Sequence, residues 1–444
     1  MNSQKSIIPF FRAAIFSTCL MVAWLLIPRV GHAETPPGES EALPATAPPD
    51  SVEVMPNSYQ LPGGLVTTSS PTLADLTGDG NPEVIVGTSM QSGVTWLHTR
   101  PATLSALKGD GSMLWSKEVD APIGSTAAVG DINADGQPEV VVGLGGDAAN
   151  LDHPGGVVAL HANGTELWRY YTNDYYPGDG RPDAVYSSPA LCQMDGDPQA
   201  EIAFGSWDQR IHLVDHNGIA LWANLNWPGK GYFNADTIWS SPACADLNGD
   251  GIDELIIGAD IQGGDYLPDG TPAVDGGFLY VFGANGQPLV RRHVPETIYS
   301  SPAVADINCD GMMEIVVGTG EFYYYDHGQT EQPFVYAFST ANVFSGMPYA
   351  DPNKLPDLPG WPQPTHYPGM GSPALGDLDL DGDLEIVVSR SKRGGGSLPF
   401  LCNNGNGDCY SAIYAWHHTG QPVSGFPVWP LDGLGKNAST NNSP

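Results

Sequence analysis

One pattern of apolar and polar positions occurs six times along the chain. Each copy has a short apolar run, an acidic loop and a second apolar run rich in β-branched residues, as in SSPTLADLTGDGNPEVIVGT. The copies, 53 to 71 residues apart, begin at Ser69, Ser125, Ser187, Ser240, Ser300 and Gly371. Short apolar runs bounded by Gly, Pro and Asp predict β-strands.

Two further strands are predicted in each copy. Runs such as GGVVALH and TELWRYY are joined by Asn163-Gly164, Asn217-Gly218 or Asn285-Gly286, and Asn-Gly favours a two-residue hairpin. Four antiparallel strands in each repeated unit are typical of a β-propeller blade. A helical solenoid would lack this strand pattern, and a parallel β-helix would have much shorter repeats. We therefore expect an all-β fold with six complete four-stranded blades in residues 63–438.

The last residues bear on the number of blades. Asn442-Ser443-Pro444 stands where earlier copies have Ser-Ser-Pro, so residues 439–444 are interpreted as the start of a further, truncated repeat. This favours seven blades in the intact protein. The alternative is a six-bladed ring in which these residues complete the sixth blade.

The N-terminus has the features of a cleaved signal peptide in residues 1–33. Lys5 and Arg12 precede an apolar run, and small residues occupy the cleavage positions in Gly31-His32-Ala33. Residues 34–62, rich in Pro, Glu and Ala, are predicted to be a flexible leader. No later segment has the 18 apolar residues of a membrane span, so we expect a secreted or cell-surface protein. A lipoprotein attached through Cys19 is the less favoured alternative.

The charge balance excludes some partners. The chain has 50 Asp plus Glu and 17 Lys plus Arg, a formal charge of −33. Binding to a phosphate backbone requires clustered Lys and Arg, so nucleic acid is excluded as an expected partner. The same charge attracts cations, and the acidic loops are therefore candidate metal sites.

The acidic loops have a regular spacing. Each approximates Asp-x-Asp/Asn-x-Asp-Gly-x-x-Glu, which places side-chain oxygens at positions one, three, five and nine and a glycine at the turn. With a backbone carbonyl at position seven, such a loop can supply the six to eight oxygens that Ca²⁺ prefers. An EF-hand would have its Glu at position twelve and flanking helices, whereas here a strand follows the Glu at once. Six copies favour a calcium site over an ordinary polar turn.

The candidate Ca²⁺ ligands, with the position-seven residues included, are Asp75, Thr77, Asp79, Asn81, Glu83, Asp131, Asn133, Asp135, Gln137, Glu139, Asp195, Asp197, Gln199, Glu201, Asp246, Asn248, Asp250, Ile252, Glu254, Asp306, Asn308, Asp310, Met312, Glu314, Asp377, Asp379, Asp381, Asp383 and Glu385. The third loop has Gln193 at position one and Pro198 in place of glycine, so we expect its site to be the weakest. The sixth loop has the highest negative charge and is expected to be among the tightest.

Each copy agrees closely with the block SSPALADLNGDGxxEIVVG. Through this block the chain resembles the FG-GAP or VCBS repeat proteins over residues 63 to about 436. Their calcium-bearing blades also form the propeller of integrin α-subunits. The resemblance implies that each acidic loop joins the first and second strands of a blade on one face, and that integrin-like ligands bind the opposite face. Because this family is functionally mixed, the resemblance implies a fold and a metal more directly than a partner.

The opposite face is expected to contain long aromatic links. They lie around Tyr170 to Tyr186, Trp227 to Trp239 and Tyr323 to His327. Aromatic residues beside Asp and Asn are typical of protein-binding or sugar-binding surfaces, so we expect a binding or adhesion module for an extracellular protein or carbohydrate. Three aromatic residues recur just before Ser-Ser-Pro and are expected to pack between blades: Tyr186, Trp239 and Tyr299.

Evidence for an enzyme is sparse, and no catalytic residue is predicted. Asp326-His327 is the one constellation that we retain, and His417-His418 is interpreted as a solvent-facing turn. The alternatives are a propeller-based polysaccharide lyase or hydrolase, and a quinoprotein dehydrogenase, because ANGTELW resembles the repeats of that group. A quinone cofactor would need a basic and polar centre that the composition does not indicate.

Five cysteines lie outside the predicted signal peptide. Cys402 and Cys409 bracket a Gly/Asn-rich loop and could form a local disulfide in an oxidising compartment. Cys192 and Cys244 lie in apolar runs, and we expect them to be buried as small hydrophobic residues.

Overall fold

The computed structural model describes residues 61–62, 66, 69–88, 102–145, 154–175, 178, 180–264, 266–320, 322–323, 333–365, 371–391 and 411–428. The predicted signal peptide, most of the predicted leader and the predicted truncated repeat lie outside these residues. So do Cys402, Cys409 and the Asp326-His327 pair.

Nearly all regular structure in the described residues is β-strand. The strands of the first three sheets are β1 (Thr72–Ala74), β2 (Glu83–Gly87), β3 (Ala102–Leu107), β4 (Met113–Val119), β5 (Ala128–Gly130), β6 (Glu139–Leu144), β7 (Gly156–His161), β8 (Glu166–Tyr171), β9 (Ala190–Cys192), β10 (Glu201–Gly205), β11 (Arg210–Val214) and β12 (Tyr232–Phe233). The strands of the next three are β13 (Ala243–Ala245), β14 (Glu254–Ile261), β15 (Gly276–Phe282), β16 (Pro288–Val294), β17 (Ala303–Ala305), β18 (Glu314–Gly318), β19 (Phe334–Ser339), β20 (Gln363–Pro364), β21 (Ala374–Gly376), β22 (Glu385–Ser391) and β23 (Ser411–Trp416). A short 3₁₀ helix spans Pro352–Lys354.

These strands form six antiparallel sheets in which neighbours in sequence are neighbours in space. Five sheets have four strands each. The sixth has the three strands β21, β22 and β23, and its outer edge is continued by isolated bridges from Ile413 to Val428 and from Trp416 to Pro422. Each acidic loop of the sequence therefore joins the first and second strands of one sheet, as expected.

The apolar runs form these strands because the four middle sheets are each covered on both faces by hydrophobic clusters. In the first five sheets the second strand is mainly apolar after its leading glutamate, for example in Glu139–Leu144, and all six residues of that strand are buried. A strand buried on both faces has such a run, in contrast to the alternating pattern of a half-exposed strand. The first strands are short and only partly buried.

The sheets follow one another around a common centre. The first strand of each sheet contacts the first strand of the next sheet, from β1 through β5, β9, β13 and β17 to β21. Five hydrophobic clusters fill the spaces between successive sheets, each with side chains from two neighbouring sheets. Radial four-stranded sheets with their first strands innermost are the blades of a β-propeller, which confirms the predicted fold class.

The turns between third and fourth strands differ from the two-residue hairpins that Asn-Gly predicts. In the second blade the Gly164 N–H donates to the His161 carbonyl, and only the glycine of the turn takes a positive φ, of 80°. A primed two-residue turn would need a positive φ at both central residues. The loop is therefore one residue longer, with the glycine in the position of a G1 bulge. Gly164 also lies against the Trp115 ring of the preceding blade, which leaves no room for a Cβ atom.

Tryptophans of the outer strands tie neighbouring blades together. Trp115 Nε1 donates to the Ala162 carbonyl of the next blade at 2.8 Å, and Trp168 Nε1 donates in the same way to His216 at 2.7 Å. Trp361, two residues before the outer strand β20, donates in the same way to the His418 carbonyl at 2.7 Å. These bonds fix the turns between third and fourth strands against the preceding blade.

The interpretation of Cys192 and Cys244 as separate hydrophobic residues is wrong. The two form a disulfide with their Cα atoms 5.5 Å apart, which joins the innermost strands of the third and fourth blades. No helix in the described ranges is both long and apolar enough to cross a membrane.

Candidate functional site

The acidic hairpins lie side by side at one end of the blades. Ala200 N–H of the third hairpin donates to the Ile132 carbonyl of the second at 3.0 Å, and Leu384 N–H of the sixth donates to Ile307 of the fifth at 3.0 Å. Asp253 N–H of the fourth hairpin donates to Gln193 of the third at 2.7 Å. We call this the acidic end of the propeller. The links between blades lie at the opposite end.

The glutamate at position nine organises each hairpin. It begins the second strand and is at most 5% exposed in every blade. Its Oε2 accepts the backbone N–H of position two at 2.6–3.2 Å in all six hairpins. The donors are Leu76, Ile132, Met194, Leu247, Ile307 and Leu378. This bond leaves Oε1 as the oxygen available to the interior of the loop.

The aspartate at position one collects backbone N–H groups. In the fourth hairpin, Asp246 Oδ1 accepts from positions three, four and five at 2.7–3.3 Å, and Oδ2 accepts from Gly251 at 2.8 Å. Although burial opposes ionisation, these N–H groups lower the pKa of Asp246. The N–H of Gly80 and its neighbours likewise lower the pKa of Asp75. Asp75 and Asp246 therefore stay ionised at neutral pH.

Positions five and seven are linked in the same way in every hairpin. The N–H of position seven donates to a carboxylate oxygen of position five at 2.8–3.2 Å. Because this bond uses only the backbone N–H of position seven, it tolerates Asn, Gln, Ile, Met and Asp there. The predicted role of the position-seven carbonyl as a ligand stays a prediction.

The hairpins differ in how closely their carboxylates converge. In the third, oxygens of Asp195, Asp197 and Glu201 lie within 4.8 Å of one another. In the sixth, the same holds for Asp377, Asp379 and Asp381, and for Asp381, Asp383 and Glu385. Among the described residues, the other four hairpins have no such group of three acidic side chains. The acidic groups that could hold a metal ion are therefore unevenly distributed around the ring.

Position three accounts for part of this difference. In the second hairpin Asn133 Oδ1 accepts the N–H of Asp135, and its Nδ2 faces Glu139 Oε1 at 3.3 Å. Asn248 makes the corresponding contacts with Asp250 and Glu254 in the fourth. An asparagine at this position satisfies the buried glutamate with a neutral donor, whereas an aspartate adds a further negative charge.

The fifth hairpin provides a direct test of whether a cation fits. Glu314 is fully buried, and its Oε1 has no hydrogen-bond partner. Burial, together with Asp310 and Asp306, raises the pKa of Glu314 to about 7, and the pKa of Glu254 is also raised to about 7. A buried carboxylate oxygen without a partner is costly unless a positive charge or a donor compensates it. The oxygen-rich donor set around it suits a hard divalent cation.

The third hairpin replaces charge with an amide. Gln193 Oε1 accepts the N–H of Gly196 at 2.8 Å, and Gln193 Nε2 donates to the carbonyls of Asp197 and Gln199. Pro198 has no N–H to offer to position one. The two substitutions therefore fit each other. Gln193 at position one needs no N–H from position six, and Pro198 at position six has none to donate.

The interpretation of His417-His418 as a solvent-facing turn needs correction. The residues do lie in the turn after β23, but this turn packs on the sixth acidic hairpin. His417 Nδ1 lies 3.0 Å from Glu385 Oε1, and His418 Nδ1 lies 2.8 Å from Asp383 Oδ2. In an antiparallel sheet the turn between strands three and four emerges at the same end as that between strands one and two. The sequence contained this signal, because both histidines directly follow the third strand.

The opposite end of the propeller has a row of aromatic side chains. Tyr186 stacks on Trp239 with ring centroids 5.5 Å apart, and Trp239 meets Tyr299 edge-on at 5.9 Å. These half-buried residues pack between successive blades, as expected. Trp207, in the turn between β10 and β11, joins them at 5.0 Å from Tyr186 and was not identified from the sequence.

A second aromatic group is more exposed, and we call it the Trp227 patch, formed by Trp227, Phe233 and Tyr175. Trp227 is 48% exposed and stacks on Phe233 at 5.6 Å, while Tyr175, 44% exposed, meets the same ring edge-on at 5.4 Å. Phe233 pairs with Arg210 at the start of β11, which places the patch away from the acidic end. The Arg210 guanidinium lies 5.1 Å from the Phe233 ring centroid. The patch therefore combines exposed aromatic faces with a buried cation.

A buried polar chain that the sequence analysis missed connects the second and third blades. Tyr170 Oη lies 2.9 Å from His212 Nδ1, and His212 Nε2 lies 3.0 Å from Asp208 Oδ2. Although burial opposes ionisation, His212 and Asn173 lower the pKa of Asp208. All three side chains of the chain are buried, so the arrangement serves to join blades. A histidine within the apolar run IHLV was the available signal.

Part of the chain matches a repeat family, and the chain has similarity to several solved structures. Residues 75–142 match the family model of the FG-GAP-like repeat. No curated protein sequence matches the chain. Among solved structures, the chain resembles BBS1N from its complex with ARL6DN, with 11% identity and a TM-score of 0.45 over 84% of this chain and 89% of that one.

Two further solved structures are similar. The quinohemoprotein alcohol dehydrogenase ADHIIG from Pseudomonas putida HK5 has 12% identity and a TM-score of 0.43, over 72% of this chain and 55% of that one. The C-terminal domain of Pseudomonas aeruginosa PilY1 has 12% identity and a TM-score of 0.38, over 82% and 70%. At such low similarity these neighbours carry no information about a shared site or ligand. From its repeats and its blades, the chain has a β-propeller fold, and residues 75–142 within it match the FG-GAP-like repeat.

Proposed function

We propose that the chain is an exported β-propeller whose acidic hairpins bind Ca²⁺ and whose opposite end binds an extracellular protein or carbohydrate. The observation that carries the calcium part is the buried Glu314 Oε1, which faces a loop of oxygen donors without a hydrogen-bond partner. The same hairpin recurs in every blade with its position-nine glutamate buried. Ca²⁺ would supply the positive charge that compensates these carboxylates.

Export is supported by the predicted signal peptide and by the disulfide. Cys192 and Cys244 join two blades covalently. Disulfides persist in oxidising compartments outside the cytosol. The formal charge of −33 also suits a protein that works in a calcium-rich extracellular medium.

The Trp227 patch is the surface we assign to ligand binding. Exposed aromatic rings supply contact area at low entropic cost and stack on sugar rings or on partner side chains. Trp227 and Tyr175 are held in place by the buried Phe233 between them. The ligand would therefore meet a prearranged surface.

Calorimetry with and without chelator tests the calcium part. A ligand that binds only the folded state at one hundred times its Kd adds about 2.7 kcal/mol per site, so removing Ca²⁺ should lower the melting temperature clearly. An unchanged transition would show that the hairpins are ordinary turns.

Glycan and extracellular-protein arrays test the binding part, with Trp227→Ala as the variant. Binding should fall while the calcium-dependent melting temperature stays the same. Tyr266→Ala is the matched control, since Tyr266 is 71% exposed and is not part of the patch. If both variants bind as the parent protein does, the ligand surface lies elsewhere.

A further inference from the structure

The sixth hairpin differs from the others in having an imidazole among its converging donors. His417 Nδ1 lies 3.0 Å from Glu385 Oε1 and 3.9 Å from Asp379 Oδ2, and single donor atoms of these three residues all lie within 4.8 Å of one another. Of the groups of three or more acidic, histidine or cysteine side chains found in the described residues, this is the one that includes a nitrogen donor.

We propose that the sixth hairpin holds a divalent transition-metal ion, such as Zn²⁺ or Co²⁺, through Asp379, Glu385 and His417. The inference rests on the proposed function in that it concerns one of the same cation-binding hairpins. The sixth hairpin would then bind a transition-metal ion where the other hairpins bind Ca²⁺.

The distances fit such an ion. Ligands bound tetrahedrally to Zn²⁺ at about 2.0–2.2 Å lie about 3.3–3.6 Å from one another. The observed separations of 3.0 and 3.9 Å around His417 Nδ1 bracket that range, so small side-chain shifts suffice. Imidazole suits Zn²⁺, Co²⁺ and related ions, whereas Ca²⁺ takes oxygen ligands.

The donors are also held in position. Glu385 is fully buried, and its Oε2 accepts the Leu378 N–H at 2.6 Å. The turn that contains His417 is closed by a bond from Gly420 N–H to the His417 carbonyl at 2.8 Å. Trp361 of the preceding blade fixes the same turn through the His418 carbonyl. A preorganised donor set of this kind needs little rearrangement to bind a metal.

A second observation points to a cation at this hairpin. Asp377 Oδ1 is shielded from solvent and has no hydrogen-bond partner. Its carboxylate converges with those of Asp379 and Asp381. Asp379 thus belongs both to the group that contains His417 and to the group that contains Asp377.

The second blade is a natural control. His161 occupies the position of His417, opposite Glu139 in the sheet register, but its Nδ1 lies 3.5 Å from Glu139 Oε1. Position three is Asn133, which presents its Nδ2 to that oxygen at 3.3 Å, where the sixth hairpin has Asp379. An amide N–H₂ cannot bind a metal, so the second blade has the histidine without the third ligand.

Titration of the whole, metal-free chain with Co²⁺, followed by visible absorbance and competition with Zn²⁺, tests the proposal. We expect a visible band that Zn²⁺ abolishes and that millimolar Ca²⁺ leaves in place. His417→Asn should weaken Co²⁺ and Zn²⁺ binding at least tenfold, and His161→Asn should leave it unchanged. Asp379→Asn, which keeps the shape of the side chain, should have the same effect as His417→Asn.

Three results would overturn the proposal. They are a band that survives His417→Asn, equal loss in the two histidine variants, and displacement of Co²⁺ by millimolar Ca²⁺. Circular dichroism confirms that each variant is folded. Calcium-dependent melting is recorded in parallel, so that failure of the transition-metal site can be separated from failure of the calcium sites. In the converse experiment, Asn133→Asp should create a second Co²⁺ site in the second blade.

Discussion

The third and fourth hairpins have the same length and the same bond from position seven to position five, but they differ at positions one and six, where Gly251 has a φ of 86° and the third hairpin has Pro198. In the fourth, the Asp246 carboxylate accepts four backbone N–H groups. In the third, the neutral Gln193 both accepts from Gly196 and donates to two carbonyls. The third hairpin shows that a loop of this length folds with a neutral side chain at position one. A bound cation is a reason for the carboxylate that the other hairpins keep there beside further carboxylates.

The largest effect on stability is expected from truncating the side chain at position one in the fourth and third hairpins. Asp246→Ala should lower the free energy of unfolding by about 3–4 kcal/mol in saturating Ca²⁺, because it removes a ligand and an acceptor for backbone N–H groups. Gln193→Ala should cost about 1 kcal/mol, equally with and without Ca²⁺, because only hydrogen bonds are lost. Denaturant unfolding in Ca²⁺ and in chelator measures both. Equal losses in Ca²⁺ would contradict the assignment of a cation to the fourth hairpin.

A smaller effect should separate the sixth hairpin from the third. With Ca²⁺ and Zn²⁺ both present, Asp379→Ala should cost about 1–2 kcal/mol more than Asp195→Ala, since Asp379 is a proposed ligand of the ion in the sixth hairpin and the third hairpin has a neutral Gln193 at position one. In chelator the two costs should approach each other. The oxygens of Asp195, Asp197 and Glu201 also converge, so the third hairpin retains three acidic side chains that could hold an ion. If Asp195→Ala is equally costly with both ions present, Gln193 and Pro198 do not weaken the third site.

The features that the sequence predicts are those that recur in every repeat. The first and second strands, the hairpin between them and the buried glutamate at position nine depend on local spacing, which six copies display in parallel. The alternation of apolar and turn residues also predicts the four-stranded blade. A pattern that would be weak evidence in one copy becomes strong evidence when six copies show it at the same place in the repeat.

The features that sequence reasoning missed depend on contacts between repeats or between strands. Cys192 and Cys244 stand at different offsets from Ser187 and Ser240, so no alignment of the repeats pairs them, and only the adjacency of two inner strands brings them together. The contact of His417 with Glu385 could have been predicted from the sequence. Ile386 pairs with Trp416 in the register of β22 and β23, so the next residues, Glu385 and His417, lie opposite each other.

The smallest effect concerns conversion of the third hairpin into a regular one by Gln193→Asp with Pro198→Gly. Replacing Pro198 restores an N–H at position six but increases the entropy of the unfolded chain, at a cost of up to about 1 kcal/mol. The new carboxylate would also lie near Asp253, whose Oδ2 accepts the N–H of residue 193 at 2.8 Å, so chelated protein should be less stable than the parent. In Ca²⁺ the order should reverse, with a net gain of about 1 kcal/mol, because the added charge strengthens cation binding. Pro198→Gly alone is the control and should destabilise equally with and without Ca²⁺. A double variant that is less stable than the parent in both conditions would show that charge at position one is not what distinguishes the third hairpin from the fourth.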